Sequence, residues 1–390
     1  MSNAETNDVP TPKGPRDVPD GSVAMLCQGT ERYGIGSVVH NYARHCPDLR
    51  FVFTNRGPLT EWFDREGYPY RLIPSLSAVR AEHLLNPIKA WSVRRQAKAD
   101  AARLAEVLAD DGVACVHVHR LAQQLLGGML RRHGFRVLWH IHNNMNHRRL
   151  IGLGTRINHA LARWGADEII AVSGFIANDW RVRGTPTRVI YNAAEPMFHE
   201  PGDAPTRPVR LMTAGRLEHD KGHHVAVEAL KIALDAGADA VLDVFGGPLD
   251  DNPYADRLRA EVEPLDGRVR FFGFVDDLRD RHRQHDVGLQ CRLSSEPCSV
   301  WVCESQLDGL ALAASATGGT PELVEEGVSG LLYPPGDAKA LARHIVTLCS
   351  DLGALAAMKR QSFERAQSLF TVERFIRESR DAWANATTNA

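Results

Sequence analysis

Two glutamates, Glu296 and Glu304, stand eight positions apart in the run Ser295-Glu296-Pro297-Cys298-Ser299-Val300-Trp301-Val302-Cys303-Glu304. Proline opens a helix readily because its missing N–H is not needed in the first turn. The residue before it is held extended. This places Glu296 in a loop at a helix entrance and Glu304 about two turns inside, roughly 12 Å away. That is too far for two carboxylates to share one proton or one metal. It suits two carboxylates gripping opposite ends of a long polar ligand, with N–H groups of the helix N-terminus between them for an anion. Two glutamates on a solvated face would show the same spacing.

Other segments offer complementary chemistry. In Ala214-Gly215-Arg216-Leu217-Glu218-His219-Asp220-Lys221-Gly222 a strand ends in glycine and a loop carries two cations. Arginine clamps two phosphate oxygens with its planar fork and lysine adds a mobile point charge. The pair suits a diphosphate; two surface cations in a polar turn is the other reading. Gly34-Ile35-Gly36 opens a helix and lets backbone approach a ligand, or forms a simple turn, but lacks the third glycine of a dinucleotide fingerprint. In Gly318-Gly319-Thr320-Pro321-Glu322, Thr320 reads as an N-cap and Pro321 as the first helical residue, which an ordinary capped turn explains. His117, His119, His140 and His142 form two pairs, each sharing a strand face, with His119 and His142 at the strand ends. No carboxylate or thiolate accompanies them at ligand spacing, so no metal is assigned. Arg80, Lys89, Arg94, Arg95 and Lys98 face one acid, Glu82, and His147, Arg148 and Arg149 add a second basic spot. These are either solvated faces or a surface for an anionic lipid or acceptor.

The elements that must position these residues follow a βαβ rhythm, which implies parallel sheet covered on both faces. Strands are expected at 22–27, 50–54, 113–118, 136–141 and 168–172, with helices at 36–46, 89–110, 121–132 and 150–165. Residues 196–209 carry four prolines and read as a linker. The rhythm restarts with strands at 210–213, 240–245, 269–272, 286–290, 310–314 and 330–333. A closing helix at 371–384 is expected to cross back to the first half. The expected organisation is a leader at 1–20, a Rossmann-like domain at 21–195, the linker, a second Rossmann-like domain at 210–370, and a returning segment at 371–390.

Composition narrows the function classes. With 390 residues, two domains are the natural expectation, and 44% hydrophobic content is ample for two cores. A net charge of −2 argues against a nucleic-acid partner. Pro10, Pro12, Pro15 and Pro19 lie in a polar leader without the apolar core of an export signal. Seven scattered cysteines, none in a C-x-x-C pair, fit a reducing cytoplasm.

Together these pieces resemble the retaining glycosyltransferase family 4, of GT-B architecture: α/β, two doubly wound parallel-sheet domains facing a central cleft. The resemblance rests on Gly215-Arg216-Leu217 with Lys221-Gly222, on Gly273-Phe274-Val275, on the Glu-x7-Glu pair, on Gly318 to Glu322, and on the Gly-x-Leu-x-Pro-Pro-Gly-Asp run at 330–337. In the first half, Gly34-x-Gly36, His142-Asn143 and Ala171-Val172-Ser173 fit it. Three positions depart. Cys298-Ser299 replaces the usual Phe-Gly, Ala311-Leu312 the usual Pro-Val, and Asn192-Ala193-Ala194-Glu195 the hinge Asn-Gly-x-Asp. The last predicts an altered hinge, since alanine resists positive φ.

The resemblance implies roles. Arg216 and Lys221 would hold the donor diphosphate, with Gly34, Gly36 and Gly215 approaching it. Glu304 would bind the ribose hydroxyls, and Phe274 and Val275 would line the base pocket. Glu296, with N–H groups at Ser299 and Val300, would position the donor sugar, and His142 would touch it near the reacting carbon. The implied reaction is metal- and cofactor-independent transfer of a sugar from a nucleoside-diphosphate sugar to a hydroxyl acceptor, with retention. The acceptor would be a glycan, a lipid-linked compound or a small molecule. The protein is expected in the cytoplasm, and its basic spots leave peripheral contact with the inner membrane face open. A nucleotide-sugar 2-epimerase of the same architecture, or a non-catalytic nucleotide-sugar or carbohydrate binder, are the alternatives.

Overall fold

The structure, a computed structural model, describes residues 22–31, 34–77, 79, 83, 86–145, 153–265, 267–276 and 278–388. The leader at 1–20, Arg80, Glu82 and His147 to Arg149 lie outside the described residues. Two parallel sheets form, as the alternating rhythm requires. The first contains β1 (Val23–Cys27), β2 (Arg50–Phe53), β3 (Arg71–Leu72), β4 (Cys115–Val118), β5 (Arg136–Ile141), β6 (Glu168–Ala171) and β7 (Thr187–Val189), in the order β3-β2-β1-β4-β5-β6-β7. The second contains β8 (Val209–Ala214), β9 (Ala240–Phe245), β10 (Val269–Gly273), β11 (Val287–Gln290), β12 (Ala311–Ser315) and β13 (Gly330–Tyr333), in the order β10-β9-β8-β11-β12-β13. Every residue of β1, β4, β11 and β12 is buried, as expected where helices cover both faces.

Both sheets reverse strand order once, between β1 and β4 and between β8 and β11. A doubly wound sheet opens a crevice at such a point, at the carboxyl ends of its strands. Gly34, His119 and His142 follow the ends of β1, β4 and β5; Gly215 and Arg292 follow β8 and β11.

The structure adds elements that the sequence pattern missed. β3 and β7 are edge strands of two and three residues with no buried side chain. They carry no apolar signature because they have little sheet to face. The short helices Pro58–Glu66 and Gly174–Asp179 were also unanticipated.

Residues 190–208 contain no helix or strand and run along the second half. Lys359 Nζ donates to the Asp203 carbonyl at 2.8 Å. After helix Leu352–Leu369 the chain passes back beside this segment, where Ala194 N–H donates to Phe370 O at 2.9 Å. Helix Val372–Thr388 then packs on β4 and β5. Tyr42 OH and Ser379 Oγ share a hydrogen bond at 2.8 Å, and the Trp383 indole donates to His117 Nδ1 at 3.0 Å. The altered hinge stays unstrained. Asn192 Nδ2 donates to Cys298 O and Asn41 Nδ2 to Ala193 O, and neither alanine adopts positive φ. All seven cysteines are buried and free. Among the described residues no single helix is long and apolar enough to cross a membrane.

Candidate functional site

The site is built first from backbone that approaches backbone. At Gly222 (φ 72°) a Cβ would stand 1.9 Å from the Cys291 carbonyl oxygen, and at Gly246 (φ 122°) a Cβ would stand 1.8 Å from that of Gly215. Only glycine lets the loops after β8, β9 and β11 close on one another. Gly215 lies beside the Lys221 side chain, with its Cβ position 3.6 Å from Lys221 Cδ.

Lys221 is half-buried and makes no ion pair among the described residues. Burial, and then Arg292, lower the pKa of its ammonium, while Glu296 opposes them. Arg216 behaves differently. Its side chain is 67% exposed and pairs with Glu218 at 2.7 Å. The cation that completes the cluster is Arg292, which sequence reading overlooked. It binds Glu296 Oε2 at 3.1 Å and Asp220 Oδ2 at 3.0 Å. Its signal was available: an arginine just past a strand end, four residues before Glu296.

The helix after Glu296 starts later than the Pro297 reading predicts. It spans Val300–Leu307, with Ser299 as N-cap and its hydroxyl accepting from Val302 N–H at 3.3 Å. Residues 296 and 297 are instead pressed against the glycine pair. Gly319 N–H donates to Glu296 O at 2.7 Å, and a Cβ at Gly319 would meet Pro297 O at 2.2 Å. Glu304 is therefore about one turn inside the helix, not two. The half-buried Glu304 carboxylate receives no hydrogen bond among the described residues. Burial pushes its pKa up to about 7, opposed by Arg279 and reinforced by Asp308. Arg279 is in turn fixed by Asp308, through Nε at 2.8 Å, and donates to the Glu195 carbonyl. Asp308 also holds His282 Nδ1 at 2.7 Å.

Of the expected base-side pair, Phe274 is 65% exposed beside the Gly246-Gly247 turn. Val275 is packed against the core instead of standing free.

In the first half, Gly34 (φ 66°) is the N-cap of helix Ile35–His45, and no described residue beyond its chain neighbours lies within 4 Å of its Cβ position. Gly36 is buried inside the first turn, so Gly34 presents the open backbone. The Arg120 fork binds Glu31, with Nη2 to Oε2 at 2.6 Å, next to His119. His142 Nε2 and His119 Nδ1 share a hydrogen bond at 2.9 Å. Ligand nitrogens of His117, His119 and His140 lie within 4.8 Å of one another. Burial holds these imidazoles neutral, lowering His119 to about 3 and the others well below 6.5. Because Trp383 donates to His117 Nδ1, His117 carries its own proton on Nε2. That nitrogen is then a donor without a free lone pair, so His117 in this state is not a metal ligand.

The halves meet through the Gly-Gly-Thr-Pro-Glu segment, which is more than the capped turn expected. Gly319, not Thr320, caps the helix Thr320–Leu323, and the Thr320 hydroxyl is buried without a partner among the described residues. Glu322 reaches across to the N–H groups of Gly174 and Phe175 and to Tyr191 OH.

Two sequence models match this chain: "Glycosyltransferase Family 4" over residues 33–196 and "Glycosyl transferases group 1" over residues 208–351. The amylovoran biosynthesis glycosyltransferase AmsK of Erwinia amylovora is 31% identical over 159 residues, 37% of each chain. The lipopolysaccharide core biosynthesis glycosyltransferase LpsE of Rhizobium meliloti is 29% identical over 175 residues, 44% of this chain and 48% of the relative. The chain spans about half or less of the length of the curated relatives it matches. Among solved structures, Anabaena HepE in complex with UDP superposes with a TM-score of 0.77 at 19% identity, covering 93% of this chain and 100% of that one. A glycosyltransferase from Rickettsia africae gives 0.77 at 17% identity, covering 94% and 99%. With both halves matched, in order, on two doubly wound sheets, the chain belongs to the GT-B glycosyltransferases.

Proposed function

We propose that this protein transfers a sugar from a nucleoside-diphosphate sugar, with uridine as the base, to a hydroxyl acceptor, and that the anomeric configuration is retained. The observation that carries this reading is the convergence of Lys221, Arg292 and Glu296 on the glycine-lined ends of β8 and β11, with helix Val300–Leu307 starting beside them. The diphosphate lies between Lys221, the Gly215 backbone and the N–H groups at Ser299 and Val300. Arg216 swings from Glu218 to join it. Such preorganised charge is commonly the largest catalytic term, because it acts where charge develops. Glu304 receives the ribose, Phe274 flanks the base, and Glu296 and His142 face the donor sugar. Glu296 is engaged by Arg292 and Glu304 is taken up by the ribose, so neither of these carboxylates serves as a covalent nucleophile. The departing phosphate therefore takes the acceptor proton on the same face, with no metal or cofactor required of the residues named. The uridine assignment is supported by UDP in the Anabaena HepE complex, and a cytoplasmic site by the free thiols.

Thermal shift with UDP, GDP, ADP and dTDP, followed by turnover of the matching nucleotide sugars, tests the reading. Stabilisation by UDP, with transfer to an added acceptor and an unchanged anomeric centre by NMR, is expected. Conversion of the donor without acceptor would favour the epimerase, and binding without turnover a carrier.

A further inference from the structure

Helix Pro87–Asp110 has two unlike ends. Asn86 caps it, its side chain accepting from Ile88 N–H and Lys89 N–H at 3.1 Å each. Its later turns bury Ala97, Ala101, Leu104, Ala105 and Leu108 in the core. Residues 86–96 include no fully buried residue; Ala90 and Val93 are partly buried, Val93 against the core, and the other side of these turns is exposed. Ile88 is 80% exposed and Trp91 62% exposed. At about 100° per residue, Ile88, Trp91 and Arg95 fall within roughly 60° of one another, opposite the buried stripe. The helix therefore places large apolar side chains where packing has no use for them.

The surrounding charge is one-sided. Lys89, Arg94, Arg95 and Lys98 occupy this stretch with no acid between Asn86 and Ala99, in a chain of net charge −2. The Arg95 guanidinium lies over the Trp91 ring, 5.5 Å from its centroid. The position is also specific. β3 runs parallel to β2 and β1, so the chain leaves it at the carboxyl edge of the sheet, and the helix begins on the side that carries Gly34, His119 and His142. Gln28 Nε2, in the loop after β1, donates to Ser77 O in the segment that leads to the helix.

We propose that the first turns of helix Pro87–Asp110 dock on an anionic lipid surface, and that the hydroxyl acceptor is a membrane-anchored compound presented at the mouth of the site. The acceptor half of this proposal rests on the glycosyl-transfer reading. Tryptophan favours the headgroup level of a bilayer. Each cation near an anionic surface strengthens binding by roughly fivefold. An acidic protein would satisfy the cations but would give Ile88 and Trp91 no apolar layer to enter. The pairing of both features favours lipid.

Co-sedimentation of the full chain with phosphatidylcholine vesicles, with and without phosphatidylglycerol, tests this. Binding is expected only with phosphatidylglycerol and weaker in high salt. Two variants, Arg94→Gln/Arg95→Gln/Lys98→Gln and Ile88→Ser/Trp91→Ser, should each lose at least tenfold in vesicle affinity. Both should keep UDP stabilisation, which separates a failure of docking from a failure of the donor-site reading. Equal binding to neutral vesicles, no binding to either, or full binding by either variant would overturn the proposal.

Discussion

Glu322 accepts hydrogen bonds from the backbone N–H groups of Gly174 and Phe175, each at 2.6 Å, although 148 and 147 positions separate them. A carboxylate from the second half thus caps the first turn of helix Gly174–Asp179 in the first half. Hydrogen bonds to a charged group are stronger than neutral ones and contribute about 1.5–3 kcal/mol. Replacing Glu322 with Ala should lower stability by about 2–3 kcal/mol in urea unfolding, and Glu322→Gln by less. A stability equal to the native protein's in Glu322→Ala would remove this clamp from the account.

Lys221 makes no ion pair among the described residues, so Lys221→Met should fold normally. Its transfer rate should fall by about 10²–10³, equivalent to roughly 3–4 kcal/mol. Arg216→Ala should cost less in donor affinity, because Arg216 starts exposed and bound to Glu218. Donor titration and kcat/KM for the two variants check the order.

Glu304 predicts a pH effect with a definite sign. Its carboxyl is raised from 4.5 to about 7 by burial, so the folded protein holds this proton more tightly than the unfolded chain. The stability it contributes is present below the unfolded pKa and is lost as pH rises toward 7, then levels off. Glu304→Gln lacks this titration. The variant should gain roughly 1–3 kcal/mol on the native protein between about pH 4.5 and about pH 8 in paired denaturant titrations.

Trp383 ties the closing helix to the first sheet through His117. Trp383→Phe keeps most of the ring but strands the buried His117 Nδ1. It should cost about 1–3 kcal/mol in thermal or urea unfolding.

The alternating apolar runs made both sheets legible, because fully buried parallel strands such as Val23–Cys27 must be continuous in hydrophobicity. Edge strands such as Arg71–Leu72 bury almost nothing and leave no such trace. Lys221, Glu296 and Glu304 stood out by residue type and spacing. The start of the helix before Glu304 did not, because Pro297 is claimed by contact with Gly319, far away in sequence. The Ser299 cap was visible locally, yet proline's preference pointed elsewhere. The reach of Glu322 to Gly174 and the pairing of Arg292 with Asp220 are long-range events, and local pattern carries no information about them.

The most direct test is the crystal structure of this chain with UDP. Diphosphate oxygens are expected within hydrogen-bonding distance of the Lys221 ammonium and the N–H groups at Ser299 and Val300, with the ribose hydroxyls on Glu304. A diphosphate bound away from Lys221, or a ribose that leaves Glu304 uncontacted, would contradict this expectation.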